Sequence, residues 1–174
     1  MTYGLSDIVQ LRRMIDESTG SDAYKRISVG KLDALVALAE SANCRRRRLL
    51  AYFGETLGGD NCGNCDNCLS PPRVRDGTVL AQKLLSCVYR TGQRFGAMHL
   101  IDVLRGKSTE KTRERGHEQL TTFGIGADLS EAQWRGVIRQ LIALGHLASE
   151  GEYNTLALTD SARAVLRGEV KIEL

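Results

Sequence analysis

Residues 62–68 read Cys-Gly-Asn-Cys-Asp-Asn-Cys, and Cys44 lies eighteen residues before the first of these three thiols. Two-residue spacers let neighbouring thiolates point at one centre, and a turn at Gly63 and Asn64 permits the bend. Structural zinc takes four such ligands in a tetrahedron and leaves no open coordination position. We therefore predict one structural, non-catalytic Zn²⁺, with the ligands Cys44, Cys62, Cys65 and Cys68.

Other interpretations of the cysteines stay open at this point. An iron–sulfur cluster also takes four thiolates, and four unrelated buried thiols are a further alternative. The chain has five cysteines, and an odd number argues against a disulfide framework. The fifth, Cys87, falls on the apolar face of a predicted helix, so we expect it to be a core residue and not a ligand.

Four arginines, residues 45–48, follow Cys44 directly. A helix N-terminus and nearby guanidinium groups both favour a thiolate. A folded helix would scatter four consecutive residues around its circumference, so a single nucleic-acid-binding face is the less favoured alternative. We expect these arginines to compensate charge and to be solvated.

The composition is that of a soluble globular protein. The chain has 174 residues, of which 42% are hydrophobic and 26% are charged. Its apolar runs are too short to span a membrane, and its N-terminus has no signal-peptide pattern. We expect no membrane association.

The pair Pro71-Pro72 is the best predicted boundary between domains. Before it the chain has helical patterns, with Ser28 as a predicted N-cap for a helix whose apolar face is Leu32, Leu35, Val36 and Ala39. After it we predict three helices, the first capped by Asp76 and the third by a Ser130–Gln133 capping box, and then a hairpin and a last helix capped by Thr159. Helix, helix, helix, hairpin is the order of a winged helix. The predicted fold is mainly α with a small β-hairpin, a helical zinc-binding module followed by a winged-helix domain.

At several separate motifs the chain closely resembles the zinc-binding and winged-helix (RQC) modules of bacterial RecQ DNA helicases. The motifs are residues 44–46, 49–55 and 62–68 in the first half, and 94–96, 104–106, 116–117, 123–126 and 134–141 in the second. Residues 3–14 look like the tail of the family's second motor lobe. The expected domains are therefore 1–20 (tail of the motor lobe), 21–72 (zinc-binding module) and 73–174 (winged helix).

The resemblance implies a parent protein that is an ATP-dependent helicase moving 3′ to 5′ in DNA repair, recombination and replication and in the SOS response. ATP and Mg²⁺ would be cofactors of that parent. Its partners would be duplex, forked or junction DNA and single-stranded-DNA-binding protein, and its location the cytoplasm, at the nucleoid. The sequence has no Gly-x-x-x-x-Gly-Lys-Ser/Thr phosphate loop, so we expect an accessory region without the ATPase motor.

Residues 105–115 carry five cations against two glutamates. The resemblance implies that the loop here grips the phosphate backbone, through Arg105, Lys107, Ser108 and Lys111, with Arg135 on the third helix as a further contact. The alternative is that these are ordinary solvated charges. We expect His117 to be packed or hydrogen-bonded rather than a ligand.

The predicted hairpin tip, residues 150–152, is short and acidic, with Tyr153 beside it. Two carboxylates would repel phosphate, so we do not expect this hairpin to separate strands. Two other functions stay open: a stand-alone zinc-containing winged-helix transcriptional regulator, which would bind duplex DNA sequence-specifically as a dimer, and a partner-binding scaffold with no salt-dependent DNA affinity.

Overall fold

A computed structural model describes residues 4–150 and 154–174 of the chain. It divides into two compact units, one ending at Val74 and the other comprising Arg75–Leu174. Within the described residues, no helix combines the length and the apolar character that crossing a membrane requires.

The described part of the first unit, residues 4–74, contains four helices: α1 (Leu5–Asp16), α2 (Asp22–Glu40), α3 (Arg45–Tyr52) and α4 (Asp66–Leu69). Helix α1 packs on α2, where Ile8 is buried and Arg12 donates to the Asp33 carboxylate at 2.5 Å. The buried face of α2 consists of Leu32, Val36 and Ala37. The four clustered cysteines lie at the start of α3, in the loop that follows it and in α4.

The prediction for the start of α2 is wrong. The helix begins at Asp22, where the Ser21 hydroxyl accepts a hydrogen bond from the Tyr24 amide at 3.3 Å, and Ser28 lies inside the helix. Two residues of the predicted apolar face, Leu35 and Ala39, are exposed. No side chain in the first two turns of α2 is buried, and Tyr24 and Ile27 are exposed, so the buried face begins later than the helix does.

The second unit is a winged helix with additions. Its helices are α5 (Thr78–Arg90), α6 (Ala97–Leu104), α7 (Glu110–Glu114), a 3-10 helix (His117–Gln119), α8 (Glu131–Ala143) and α9 (Ala162–Leu166). Strands β1 (Leu147–Glu150) and β2 (Thr155–Leu158) pair antiparallel, with Leu147 opposite Leu158. The predicted fold class is confirmed: mainly helical with one small hairpin.

Helix α8 supplies the centre of the core. The predicted capping box is present, since the Ser130 hydroxyl accepts from the Gln133 amide at 3.3 Å while the Gln133 side chain accepts from the Ser130 amide at 2.9 Å. Trp134 is fully buried and donates its indole N–H to the Gly126 carbonyl at 2.9 Å. Its predicted role as a core anchor is confirmed.

Two other cap predictions need correction. Asp76 accepts from the Thr78 amide at 2.9 Å, but the N-cap position of α5 is Gly77. Thr159 does not cap α9, whose N-cap is Ser161. Instead the Thr159 hydroxyl donates to the Gly145 carbonyl at 2.6 Å and so fastens the end of β2 to the end of α8.

The C-terminal residues pair with the segment before α5, which sequence reasoning missed. The amide of Arg75 donates to the Leu174 carbonyl at 2.9 Å, and the amide of Leu174 donates back to Arg75 at 3.0 Å. The Gly77 amide donates to Ile172, whose side chain is buried. This short pairing joins the two ends of the second unit.

Candidate metal centre and basic segment

Four thiols of the first unit meet at one point. One sulfur atom from each of Cys44, Cys62, Cys65 and Cys68 lies within 4.8 Å of the other three. Sulfurs held tetrahedrally at about 2.3 Å from a zinc ion lie about 3.8 Å apart. The Sγ atoms of Cys62 and Cys68 are 3.9 Å apart, close to this separation. The donor set and its spacing therefore fit a tetrahedral zinc ion.

Backbone amides aim at two of these sulfurs. Cys44 is the N-cap residue of α3, and its Sγ accepts a hydrogen bond from the Arg47 amide at 3.5 Å. The Sγ of Cys62 accepts from the Cys65 amide at 3.4 Å. An amide donor stabilises a thiolate more than a thiol, so the local backbone favours the ligating form.

The pKa values of the thiols diverge because the groups share protons. The Arg47 amide, as the largest influence, lowers the pKa of Cys44, although burial opposes it. Burial raises the pKa of Cys65, but the Arg45 amide and the neighbouring thiols together outweigh this effect and lower the pKa to about 6. The Cys62 backbone lowers the pKa of Cys68, but burial and then the other three thiols raise it, to about 12. Four thiolates this close repel one another, and a divalent cation at their centre removes that repulsion.

Polar contacts outside the sulfurs hold the cysteine loop against α2 and α3. The Arg45 guanidinium donates Nε to both Asp66 carboxylate oxygens, at 2.7 and 2.9 Å, and Nη1 to the Leu38 carbonyl at 2.6 Å. The Asn67 amide donates to the carbonyls of Ser41 at 2.6 Å and Asn43 at 2.8 Å. The side chain of Arg47 pairs with Asp60. Two of the four consecutive arginines therefore compensate acids that flank the cysteines.

The basic segment, residues 105–115, joins α6 to the 3-10 helix and contains α7. Arg105 follows α6 directly as its C-cap and is exposed. Lys107 is exposed and lies 3.5 Å from the Asp102 carboxylate. The Lys111 ammonium lies 5.4 Å from the centroid of the Phe95 ring. Three of the predicted phosphate contacts thus lie on one continuous surface segment of the second unit.

The other two predicted contacts have acidic partners. The Ser108 hydroxyl donates to the Glu118 carboxylate at 2.6 Å. Arg135 pairs with Glu131 at 2.9 Å, one turn earlier in α8, and its guanidinium also contacts the Met98 sulfur. Exposed pairs of this kind contribute only about 0–1 kcal/mol, so a phosphate can displace the carboxylate.

A pair of buried histidines lies beside the basic segment. His99 Nε2 and His117 Nδ1 are 2.7 Å apart, and the Phe95 ring stacks on His99 at 4.2 Å between centroids. The prediction that His117 is packed or hydrogen-bonded is confirmed. His99 was missed as a site residue, because nothing in the sequence links two histidines eighteen positions apart.

Two further predictions concern Cys87 and the tip of the hairpin. Cys87 is fully buried in α5 and lies outside the cysteine cluster, as predicted. Burial raises the pKa of its thiol to about 12. Most of the predicted acidic tip is not described: Glu150 ends β1, while Gly151, Glu152 and Tyr153 lie outside the described residues.

Comparison with known proteins finds a matching family domain in each half of the chain. The sequence profile of the RQC domain matches residues 71–174, and that of the RecQ zinc-binding domain matches residues 5–69. The chain belongs to the RecQ family. It corresponds to the zinc-binding and RQC region of RecQ proteins, and the zinc-binding match agrees with the four-cysteine geometry.

Several RecQ proteins are similar over nearly the whole chain. The ATP-dependent DNA helicases RecQ of Pasteurella multocida and Haemophilus influenzae are 44% and 45% identical over 174 residues, and that of Bacillus subtilis is 32% identical over 173. These alignments cover 99% of this chain but only 27%, 28% and 29% of the respective relatives. The chain thus spans less than a third of the length of these RecQ relatives.

Proposed function

We propose that this chain is the DNA-binding accessory region of a RecQ-type helicase, and that it grips duplex DNA through its phosphates. The observation that carries the proposal is the exposure of Arg105, Lys107 and Lys111 on one segment of the winged helix. Ser108 and Arg135 would add a hydroxyl donor and a further guanidinium. Contacts to phosphate are independent of base sequence, as a helicase requires.

The charges of the basic segment support phosphate binding to different degrees. Within the described ranges 4–150 and 154–174, neither Arg105 nor Lys111 forms an ion pair with a carboxylate. Arg135 has a partly exposed acidic partner, Glu131, which a phosphate would replace at little cost, whereas the side chain of Asp102, the partner of Lys107, is only 19% exposed. We expect Arg105 and Lys111 to contribute most, because their binding breaks no ion pair.

We further propose that Cys44, Cys62, Cys65 and Cys68 bind one structural zinc ion. Bound zinc would supply a fixed charge and a crosslink between the start of α3 and the cysteine loop. The four sulfurs occupy every position of a tetrahedral ion, so this site would have no catalytic role.

The activity of the whole protein is part of the proposal. By its similarity to RecQ proteins, the parent would unwind DNA 3′ to 5′ with ATP and Mg²⁺ in repair and recombination, at the nucleoid and with single-stranded-DNA-binding protein as a partner. In this proposal, residues 1–20 belong to the motor lobe, 21–72 to the zinc-binding module and 73–174 to the DNA-binding winged helix.

Fluorescence anisotropy tests the DNA grip. The protein is titrated with forked, blunt-duplex and single-stranded DNA of two unrelated sequences over a series of salt concentrations. A triple variant, Arg105→Ala, Lys107→Ala and Lys111→Ala, is compared with a control of equal charge loss on exposed residues elsewhere in the unit: Arg163→Ala, Arg167→Ala and Lys171→Ala.

The expected result is duplex binding that is insensitive to sequence and weakens steeply with salt. Each phosphate that is no longer neutralised should reduce the steepness of log K against log salt by about 0.9. The first triple variant should therefore bind with a much shallower salt dependence, and the control with nearly the wild-type one. Sequence-specific binding as a dimer would favour the transcriptional-regulator alternative. Absence of binding to any DNA would favour the scaffold alternative.

The metal proposal has its own test. Elemental analysis of the purified protein should give one zinc per chain, without the visible absorption of an iron–sulfur cluster. Serine at any of the four cysteines should reduce the zinc content, whereas Cys87→Ser should leave it unchanged. Iron with labile sulfide would overturn the assignment.

A further inference from the structure

The two buried histidines lie where four elements of the winged helix meet. His99 belongs to α6 and His117 to the 3-10 helix, and Phe95 contacts both rings, at 4.2 and 4.9 Å between centroids. The Phe95 carbonyl accepts a hydrogen bond from the Leu156 amide of β2 at 3.0 Å. Lys111 of α7 lies over the Phe95 ring. This cluster of Phe95, His99 and His117 therefore contacts α6, α7, the 3-10 helix and the hairpin.

The position of the cluster in the chain is as important as its contacts. His99 precedes the basic segment and His117 follows it, so their hydrogen bond closes the loop that carries the predicted phosphate contacts. Helix α7 has only five residues, too few to be stable without tertiary contacts. The direction of the Lys111 side chain thus depends on what holds the two ends of the segment together.

The 2.7 Å separation requires a proton between the two nitrogens, since one imidazole must donate and the other accept. Two neutral rings satisfy this requirement. The surroundings favour the neutral state, because burial first, then His117, and then Lys111 and Arg115 lower the pKa of His99, while Asp102 raises it. Burial and Arg115 likewise oppose a charge on His117. The bond is therefore intact at neutral pH.

We propose that the His99–His117 hydrogen bond, with Phe95 packed on it, is a positioning unit that holds the basic segment so that Arg105, Lys107 and Lys111 face one phosphate backbone. The histidines touch no DNA themselves in this arrangement. The inference rests on the proposed DNA grip and adds the residues that organise it. Loss of the bond lets the segment sample other conformations, in which its cations no longer engage phosphates together.

The chain offers a test that separates the bond from mere packing. Along the side chain, the amide nitrogen of glutamine occupies the place of histidine Nε2, and that of asparagine the place of Nδ1. His99→Gln combined with His117→Asn therefore retains a donor and an acceptor at the two bonded positions. His99→Leu and His117→Leu, alone and together, remove the bond but keep a side chain of substantial volume.

Anisotropy with duplex DNA over a salt series is measured for all variants at neutral pH. We expect each leucine variant to bind more weakly and with a shallower salt dependence, by about 0.9 for each phosphate that the segment no longer neutralises. The double leucine variant should be little worse than either single one, since both break the same bond. The glutamine–asparagine pair should recover most of the wild-type slope.

Folding is checked in the same samples by the fluorescence of Trp134, the only tryptophan of the chain. A variant that is merely less stable lowers the fraction of active protein but leaves the salt slope of the folded molecules unchanged. Folded leucine variants with the wild-type slope would overturn the inference while leaving the DNA grip intact. If the wild-type protein itself does not bind DNA, the proposed function fails, and with it the basis of this inference.

Discussion

Gly126 lies against the indole ring of Trp134 in the winged-helix core. A Cβ atom at this position would lie 2.3 Å from Trp134 Cζ2, well inside van der Waals contact. Trp134 cannot move away easily, because it is fully buried and bonded to the Gly126 carbonyl. We predict that Gly126→Ala destabilises the second unit by about 1–3 kcal/mol through overpacking. Urea unfolding followed by Trp134 fluorescence measures the change.

Gly136 gives the matched control. It lies in α8, and a Cβ there would meet nothing within 4 Å. The same substitution, Gly136→Ala, should stabilise the protein by about 0.5–1 kcal/mol, because alanine loses less backbone entropy in a helix. Equal effects of the two substitutions would contradict the steric explanation.

The buried histidine pair predicts a particular dependence of stability on pH. Burial lowers the pKa of His99 from its ordinary value of 6.5 to about 4, so in this range the unfolded chain binds a proton that the folded protein excludes. The stability of the second unit should fall as pH decreases from 6.5 toward 4. His99→Gln removes this titration. The difference in unfolding free energy between wild type and variant, measured by Trp134 fluorescence, should therefore shrink with acidification, and a constant difference would refute the prediction.

Residues that act through local spacing could be predicted from the sequence, and those that act across the fold could not. Cys62, Cys65 and Cys68 lie within seven residues of sequence, so their common target follows from their spacing. Cys87 and Trp134 followed from helical periodicity. The contact between His99 and His117 depends on how α6 and the 3-10 helix pack, which no local pattern encodes. The acidic partners of Lys107, Ser108 and Arg135 were also missed.

At the scale of secondary-structure elements, the short helix α4 depends on contacts from outside itself. It has four residues, and the Asn67 side chain fastens it to the carbonyls of Ser41 and Asn43, in the segment that joins α2 to α3. Asn67→Ala removes both hydrogen bonds and loosens the loop that carries Cys65 and Cys68. We predict a zinc affinity lower by about 10–100-fold, as is found for residues that orient metal ligands. Competition with a chromogenic chelator measures the affinity.

Asn64 provides a control within the same loop, since it is exposed between Cys62 and Cys65. Asn64→Ala should change the zinc affinity little. If both substitutions weaken zinc binding equally, the loop sequence and not the Asn67 bonds to Ser41 and Asn43 determines the affinity.

The ends of a helix could be predicted where a capping motif lies within one short stretch of the sequence. Ser130 with Gln133 fixed the start of α8 correctly, because both reciprocal bonds lie within one turn. Ser28 resembled a cap because it precedes the predicted apolar face of α2, whereas Ser21 precedes a first turn that has no buried side chain. Helix α7 was not predicted, since none of its side chains except Thr112 is buried and it therefore has no apolar periodicity.

At the scale of the whole molecule, the five thiols should separate into two classes of reactivity. Four share one cluster in the first unit, whereas Cys87 is fully buried in the second, where burial raises its thiol pKa to about 12. With zinc bound, we expect all five to react slowly with a thiol reagent. After chelation, four should react rapidly, because they are released as accessible thiols with partial thiolate character.

The fifth thiol should then react only as fast as the second unit opens. Its rate should follow the stability of that unit, rising in Gly126→Ala and falling in Gly136→Ala, while the rate of the other four stays unchanged in both variants. Cys87→Ser should abolish the slow phase alone. A single phase of five equivalent thiols after chelation would show that the winged-helix core opens when the metal leaves, and would contradict independent stability of Arg75–Leu174.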